Sequence, residues 1–163
     1  MTPALVVIDM QKRWIGDGTE LHPSFDEAVD VIERVAAAFR AAGHPVVWVQ
    51  DKETMPEDDP GFAVVDELTI HEGDRRVSKV ASNAFAEDGL PNALDADGVD
   101  LALLCGYRAE QCVLATAKGA AERGLPYALL RGATLGPDAV AVQTVERDAP
   151  LVSAEIAVLM AEG

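Results

Sequence analysis

The chain has 163 residues, of which 49% are apolar, and it carries a formal net charge of -15. This length predicts one domain over residues 1–163, and the apolar content is enough for a substantial core, which argues against disorder. The negative surface would repel nucleic-acid phosphates and anionic lipid, so neither is expected as a partner. No apolar run reaches the roughly 18–20 residues of a membrane span.

The first fifty residues predict a strand, a helix and a second strand. ALVVI (4–8) is a short, continuous apolar run. Ser24 precedes Glu27 by three residues, which is the spacing of a capping box, and a 3.6-residue apolar period follows it. Gly43 stands where a helix-ending glycine is expected, and the next apolar run is PVVWV (45–49).

The middle of the chain is less regular. Segment 51–74 is acidic, contains two prolines and has no clear period, so it predicts a long loop with one short helix at most. RRVSK (75–79) predicts a short strand. LALLC (101–105) predicts a strand buried on both faces, because its apolar residues are continuous rather than alternating.

The last third alternates helices and strands. A helix is predicted over 110–123 and a strand over PYALL (126–130). A helix over 138–147, a short strand at LVS (151–153) and a helix near 153–161 follow. This alternation predicts a Rossmann-like α/β fold with three αβα layers, doubly wound around a mostly parallel sheet of five to six strands.

Three reactive side chains are expected at the carboxyl ends of predicted strands. Asp9 follows the first strand, Lys79 closes segment 75–79, and Cys112 lies in the first turn of the helix after LALLC. Ligands of open parallel sheets bind outside these strand ends, where the strand order reverses. We therefore expect the three side chains to share one crevice, although each taken alone has an ordinary structural explanation. Cys105 is expected in the core.

The chemistry of such a trio is coherent. A helix N-terminus and the Lys79 ammonium are expected to lower the pKa of the Cys112 thiol, which is about 8.5 when unperturbed. Asp9 is the candidate general base. Backbone N–H groups at the helix start are candidates for holding an oxyanion.

Three segments resemble the isochorismatase-like cysteine hydrolases, the superfamily that includes nicotinamidases and N-carbamoylsarcosine amidase. They are LVVIDMQKRW, KVASNAFAEDGL and LLCGYRAEQCVLATAKGAAERGLP, and the last is closest to members that have a GxRTEQC motif. The resemblance implies that Asp9, Lys79 and Cys112 are the catalytic residues. It also implies a cis peptide between Tyr107 and Arg108, with an oxyanion hole formed by the backbone N–H groups of Arg108 and Cys112. The expected pocket wall consists of Gln11, Trp14, Phe85 and Tyr107.

The sequence departs from the family pattern at two places. Zinc-dependent nicotinamidases carry an Asp-x-His metal site with a further histidine, whereas Asp51 is followed by Lys52 and Glu53. No metal or cofactor is therefore expected. Ala109 stands where the family has threonine, so a hydroxyl group near the expected oxyanion hole is missing. Arg108 is larger than the alanine or valine of many members, so it is expected either to narrow the pocket or to bind an acidic group of the substrate.

The sequence thus predicts a cysteine-dependent hydrolase of a small amide or other C–N bond. Isochorismate-type vinyl-ether hydrolysis on the same fold stays open, as does a non-catalytic binding protein, for which a thiol pKa of 8.5 or above would be expected. A dinucleotide-binding protein is excluded, since no G-x-G-x-x-G follows the first strand. The resemblance implies a homo-oligomer. With two cysteines and no basic signal region at the start, the chain is expected to be cytoplasmic.

Overall fold

A computed structural model describes residues 1–16 and 20–163 and contains one six-stranded parallel sheet. The strands are β1 (Pro3–Ile8), β2 (Val46–Asp51), β3 (Arg75–Lys79), β4 (Leu101–Tyr107), β5 (Tyr127–Leu135) and β6 (Leu151–Val152). Their order across the sheet is β3-β2-β1-β4-β5-β6. The strand order therefore reverses between β1 and β4, and a crevice is expected there.

Helices cover both faces of the sheet. They are α1 (Phe25–Ala41), α2 (Gly89–Ala96), α3 (Leu114–Glu122), α4 (Ala139–Arg147) and α5 (Ala154–Glu162). One apolar core packs α1 and α5 against the sheet, and a second packs α2, α3 and α4 against the opposite face. The predicted three-layer, doubly wound α/β fold is confirmed.

The central strand β1 shows why the apolar runs form this sheet. Leu5 and Val7 belong to the core beneath α1, whereas Val6 and Ile8 belong to the core on the other face. Successive side chains of a strand point to opposite faces, so a strand covered on both sides must be apolar throughout. Among the described residues, no helix has the length and apolar character that crossing a lipid bilayer requires.

Some element boundaries differ from the predictions. The helix predicted over 110–123 is divided into a π-helical turn, Ala109–Val113, and α3. Cys112 therefore lies in the π-helical turn and not in the first turn of an α-helix. Helix α2 was not predicted, because its Gly-Leu-Pro start resembles a turn; its Pro91 lies in the first turn, where a missing N–H costs little. β5 extends five residues beyond the predicted strand.

Gly106 allows β4 to pass close to the end of β1. Its φ is +115°, and a Cβ at this position would lie 2.0 Å from the carbonyl oxygen of Ile8. Only glycine fits there without moving backbone. The close approach brings the end of β4, which leads to Cys112, next to the end of β1, which leads to Asp9.

Candidate active site

The three side chains expected to converge lie together at the carboxyl edge of the sheet. The Nζ atom of Lys79 is 3.1 Å from Oδ2 of Asp9 and 3.6 Å from Sγ of Cys112. Lys79 has no solvent-exposed surface, so its ammonium group depends on these neighbours to replace water. The rule that ligands bind at the carboxyl ends of parallel strands (the strand-end rule) thus correctly predicted that these three side chains lie close together.

Asp51, at the end of β2, is a fourth member of this cluster. Its Oδ2 is 3.5 Å from the Lys79 Nζ, and its Oδ1 accepts a hydrogen bond of 2.8 Å from the backbone N–H of Glu53. From the sequence, Asp51 was considered only as a metal ligand. The strand-end rule would have found it if it had been applied to β2, which lies between β1 and β3.

Asp9 has an unusual backbone and an unused oxygen. Its φ is 51°, in the left-handed region that aspartate tolerates better than most residues, and its N–H donates to the Val49 carbonyl at 2.9 Å. Its Oδ1 is buried and has no hydrogen-bond partner among the described residues. A buried acceptor without a donor lowers the stability of the folded state. The Cys112 thiol is the neighbouring group that can donate a proton to the Asp9 carboxylate.

The charges of the cluster raise the pKa of the thiol. Burial raises the pKa of Asp9, and Lys79 offsets this only in part. Burial lowers the pKa of Lys79, but the attraction of Asp9, Cys112 and Asp51 outweighs it, so the net shift is upward. Burial and the negative charge of Asp9 raise the pKa of Cys112 to about 11, against the opposing effect of Lys79.

The expectation of a lowered thiol pKa was therefore wrong. It counted the Lys79 ammonium and a helix N-terminus, but it omitted burial and the second carboxylate, Asp51. One ammonium group faces two carboxylates, so a thiolate would add a third negative charge. At neutral pH Cys112 keeps its proton.

A cleft of about 230 Å³ opens above the cluster. Asp9, Asp51 and Cys112 form its inner end. Its wall consists of Trp14, Glu53, Thr54, Ser82, Tyr107, Arg108 and Gln111. The cleft thus includes Trp14 and Tyr107 from the expected pocket wall.

Gln11 and Phe85, also expected in that wall, do not line the cleft. Gln11 has no exposed surface, and its amide bonds to backbone: Nε2 donates to the carbonyls of Asp51 and Phe62, and Oε1 accepts from the Asp51 N–H. Gln11 therefore fixes the end of β2 to the segment after β1. Phe85 packs in the core shared by α2 and α3, with the Arg123 guanidinium 5.8 Å from its ring centre.

The segment after Lys79 is fixed to the helix after Cys112. Thr116, on α3, accepts a hydrogen bond from the Ala84 N–H at 3.1 Å and donates to the Ser82 carbonyl at 3.4 Å. Nearby, a Cβ on Gly119 would lie 2.2 Å from the Asn83 side chain. These contacts couple the position of the Lys79 ammonium to that of the Cys112 sulfur.

The peptide bond between Tyr107 and Arg108 is cis, as the family resemblance implies. The Arg108 N–H makes no hydrogen bond to another residue in the described ranges, so it is available as a donor to a ligand in the cleft that Arg108 lines. The Arg108 guanidinium forms an ion pair with Glu110.

A metal ion does not suit this cluster. Asp9, Asp51 and Cys112 each offer a ligand atom, and these atoms lie within 4.8 Å of one another. The cluster contains no histidine in the part of the chain that the structure describes, and the Lys79 ammonium already contacts all three residues. A zinc ion would have to displace that buried cation.

Comparisons with known proteins agree with the fold. Residues 3–152 match the family described as "Isochorismatase domain". Streptothricin hydrolase of Streptomyces noursei is 35% identical over 127 residues, which cover 74% of this chain but 45% of that protein. The secreted isochorismatase effector Isc1 of Verticillium dahliae is 32% identical over 127 residues, which cover 74% of this chain and 65% of the effector. The chain thus spans about half to two thirds of these curated relatives.

Among solved structures, N-carbamoylsarcosine amidase from Thermoplasma acidophilum superposes with a TM-score of 0.82 at 29% identity, covering 95% of this chain and 98% of that one. The likeness therefore extends over both whole chains. With its domain match and its relatives, the chain belongs to the isochorismatase family, within the isochorismatase-like cysteine hydrolases.

Proposed function

We propose that this protein hydrolyses a small amide or another C–N bond through a thioester on Cys112. The observation that carries the proposal is the contact of one buried ammonium, that of Lys79, with both Asp9 and the Cys112 sulfur at the inner end of a cleft. Two proteins similar to this chain, streptothricin hydrolase and N-carbamoylsarcosine amidase, bear names that denote hydrolysis.

The reaction begins with a proton transfer from the Cys112 thiol to Asp9 as the sulfur attacks the carbonyl carbon. The C–N bond then breaks, and the departing nitrogen takes the proton back from Asp9. A water molecule gives a proton to Asp9 and adds to the thioester carbon. The C–S bond breaks, the acid leaves, and the sulfur recovers the proton from Asp9.

The raised pKa of Cys112 is compatible with this sequence of steps. With both carboxylates ionised, Lys79 protonated and the thiol neutral, the cluster carries one net negative charge. Loss of the thiol proton to solvent would make that charge two in a buried site, and burial together with the negative charge of Asp9 raises the thiol pKa to about 11. Transfer to Asp9, whose own pKa is raised by burial, leaves the net charge unchanged.

Lys79 and the backbone would stabilise the charges that develop during attack. The ammonium lies 3.6 Å from the sulfur and favours its anionic form. We assign the oxyanion hole to the N–H groups of Arg108 and Cys112, and the free N–H of Arg108 supports this assignment. Ala109 adds no hydroxyl there.

A non-catalytic binding protein is the main alternative, and a thiol pKa above 8.5 was its expected mark. The thiol pKa of about 11 meets that mark, so the choice between the two depends on whether an acyl group is transferred to Cys112. Incubation with a panel of small amides, ureides and carbamoyl compounds, followed by mass spectrometry of the intact protein, tests the proposal directly. We expect a mass increase equal to the acyl group, confined to Cys112.

Matched variants complete the test. Cys112→Ser should lose both turnover and the covalent adduct, whereas Cys105→Ser should retain them, because Cys105 is buried in the core away from the cleft. Turnover of the panel by Cys112→Ala would refute the thioester mechanism. Hydrolysis of isochorismate that survives Cys112→Ala would instead support vinyl-ether chemistry, which proceeds by protonation and needs no thiol.

We also propose a homo-oligomer in a reducing compartment such as the cytoplasm. Ile156 and Leu159 are large apolar side chains three residues apart on α5, and both are at least half exposed, which favours association through this helix. Cys105 and Cys112 are both free thiols, and a thiol nucleophile has to stay reduced. Light scattering of the purified protein tests the first proposal, and localisation of the tagged native protein tests the second.

A further inference from the structure

The charges around the cleft are not balanced. Asp9 and Asp51 are held by Lys79, and the Arg108 guanidinium is paired with Glu110. Glu53 also lines the cleft, and it forms no ion pair with another residue in the described ranges. One carboxylate is thus left to face whatever enters.

The fold places Glu53 on the cleft wall by a specific local contact. The Asp51 Oδ1 accepts the Glu53 N–H at 2.8 Å, which closes a tight turn directly after β2. Thr54 follows on the same wall. The backbone of Glu53 is therefore held by a residue of the buried cluster, and its exposed side chain extends from there.

Two aromatic side chains, Trp14 and Tyr107, stand on the wall together with Glu53. A carboxylate with aromatic rings is the surrounding that a small organic cation prefers. The rest of segment 51–59 adds to this field, since beyond Asp51 and Glu53 it carries three carboxylates and one ammonium group. Among the described residues of the wall, Arg108 carries the one cationic side chain, and its pairing with Glu110 lessens its attraction for an acidic substrate.

We propose that the cleft takes a cationic substrate, a small molecule whose ammonium or guanidinium group lies against Glu53 while its carbonyl reaches Cys112. Glu53 is then the residue that determines specificity for charge. This inference rests on the proposed function only in taking the cleft above Cys112 as the substrate site. A volume of about 230 Å³ limits the substrate to a small molecule.

Charge-matched thiol reagents test the cleft without any need for turnover. 2-Aminoethyl methanethiosulfonate carries a positive charge and 2-sulfonatoethyl methanethiosulfonate a negative one; each forms a disulfide with the Cys112 sulfur and releases methanesulfinate. We expect the cation to label Cys112 at least about tenfold faster. Glu53→Gln should reduce the cation-to-anion ratio about fivefold, the effect of one partly exposed charge, and the reduction should shrink at high salt.

Asp58→Asn is the matched control, because it removes one negative charge from an exposed residue of the same loop that does not line the cleft. It should change the ratio less than twofold. Equal effects of the two substitutions, or faster labelling by the anion, would overturn the proposal. Cys105 has no exposed surface and should not be labelled.

Three primary amides of similar length then test the substrate itself: β-alaninamide, butyramide and succinamic acid, which end in a cation, a methyl group and an anion. We expect β-alaninamide to have the highest kcat/KM, and Glu53→Gln to raise its KM about fivefold while Asp58→Asn does not. Preference for succinamic acid would refute a cationic substrate. If none of the three amides is hydrolysed, the labelling ratio alone decides on the cation, and the proposed function is tested by the wider panel.

Discussion

Replacement of Asp9 by asparagine should abolish hydrolysis at Cys112 but accelerate the alkylation of its thiol. If Asp9 takes the thiol proton, Asp9→Asn abolishes hydrolysis, because the amide cannot act as a base. The same substitution removes a negative charge that helps to raise the thiol pKa. Alkylation of Cys112, which needs only a thiolate, should therefore become faster.

The size of the increase follows from the distances in the cluster. The Asp9 carboxylate and the Cys112 sulfur lie within 4.8 Å of each other, and two unit charges at that distance interact by about 3.5 kcal/mol at an effective dielectric constant of ~20. Cys112 is partly exposed, so we expect about half of this, a pKa drop of about 1.3 units. The thiolate fraction then rises about twentyfold, while the lower pKa makes each thiolate about fourfold less nucleophilic, leaving about a fivefold faster reaction.

The assay is the rate of iodoacetamide labelling of Cys112 at pH 7.5, followed by mass spectrometry, together with turnover of any amide that the wild type hydrolyses. Asp51→Asn is the matched control; it should raise the labelling rate less, because Asp51 has a weaker influence on the Cys112 pKa than Asp9 does. Slower labelling in Asp9→Asn would show that the carboxylate supports the thiolate, and retained turnover would show that it is not the base. Either result would refute the reasoning.

Three further predictions concern the same region. Labelling of wild-type Cys112 should rise about tenfold per pH unit from pH 7 to 10 towards a midpoint near 11, and a plateau above pH 8.5 would contradict the raised pKa. Gly106→Ala should lower the free energy of unfolding, measured in urea, by more than about 3 kcal/mol, because the added Cβ would clash with backbone. Gly98 also has a positive φ but has open space around it, so Gly98→Ala should lower the free energy of unfolding by about 1 kcal/mol. Equal losses in the two variants would show that the clash at Gly106 does not matter. Gln11→Met should lower the free energy of unfolding by about 2–3 kcal/mol, because it leaves buried backbone groups without hydrogen-bond partners. An unchanged urea midpoint would contradict the role of Gln11 in fixing the end of β2.

The sequence predicted the fold well where one physical rule dominates. Strands buried on both faces have continuous apolar runs, so β1 and β4 could be located from composition alone. The helix α1 was located by its Ser24 cap, whose side chain accepts the Glu27 N–H at 3.2 Å as the capping-box spacing implies. Helix α2 was missed because its glycine and proline favour a turn, and only packing of Leu90 and Leu94 against the sheet makes it a helix.

The convergence of three reactive side chains was predictable from the sequence, but the electrostatics of their cluster were not. The strand-end rule places a residue at the sheet edge, and this suffices to bring Asp9, Lys79 and Cys112 together. It says nothing about burial or about how many charges meet, and these decide the thiol pKa. Gln11 shows the same limit, since a polar residue next to a catalytic candidate looks like a substrate contact until its backbone partners are known.

The balance of charge at Lys79 connects the site to the choice of substrate. A buried ammonium with a single carboxylate would leave the cluster neutral, and the thiol would then ionise more readily. Asp51 adds the second negative charge, and its other oxygen closes the turn that places Glu53 on the cleft wall. Asp51, which adds to the effects of burial and Asp9 in raising the thiol pKa, therefore also fixes the backbone of the residue that faces the substrate. A cationic substrate would reduce the net negative charge of the occupied site, so its binding would itself favour formation of the thiolate.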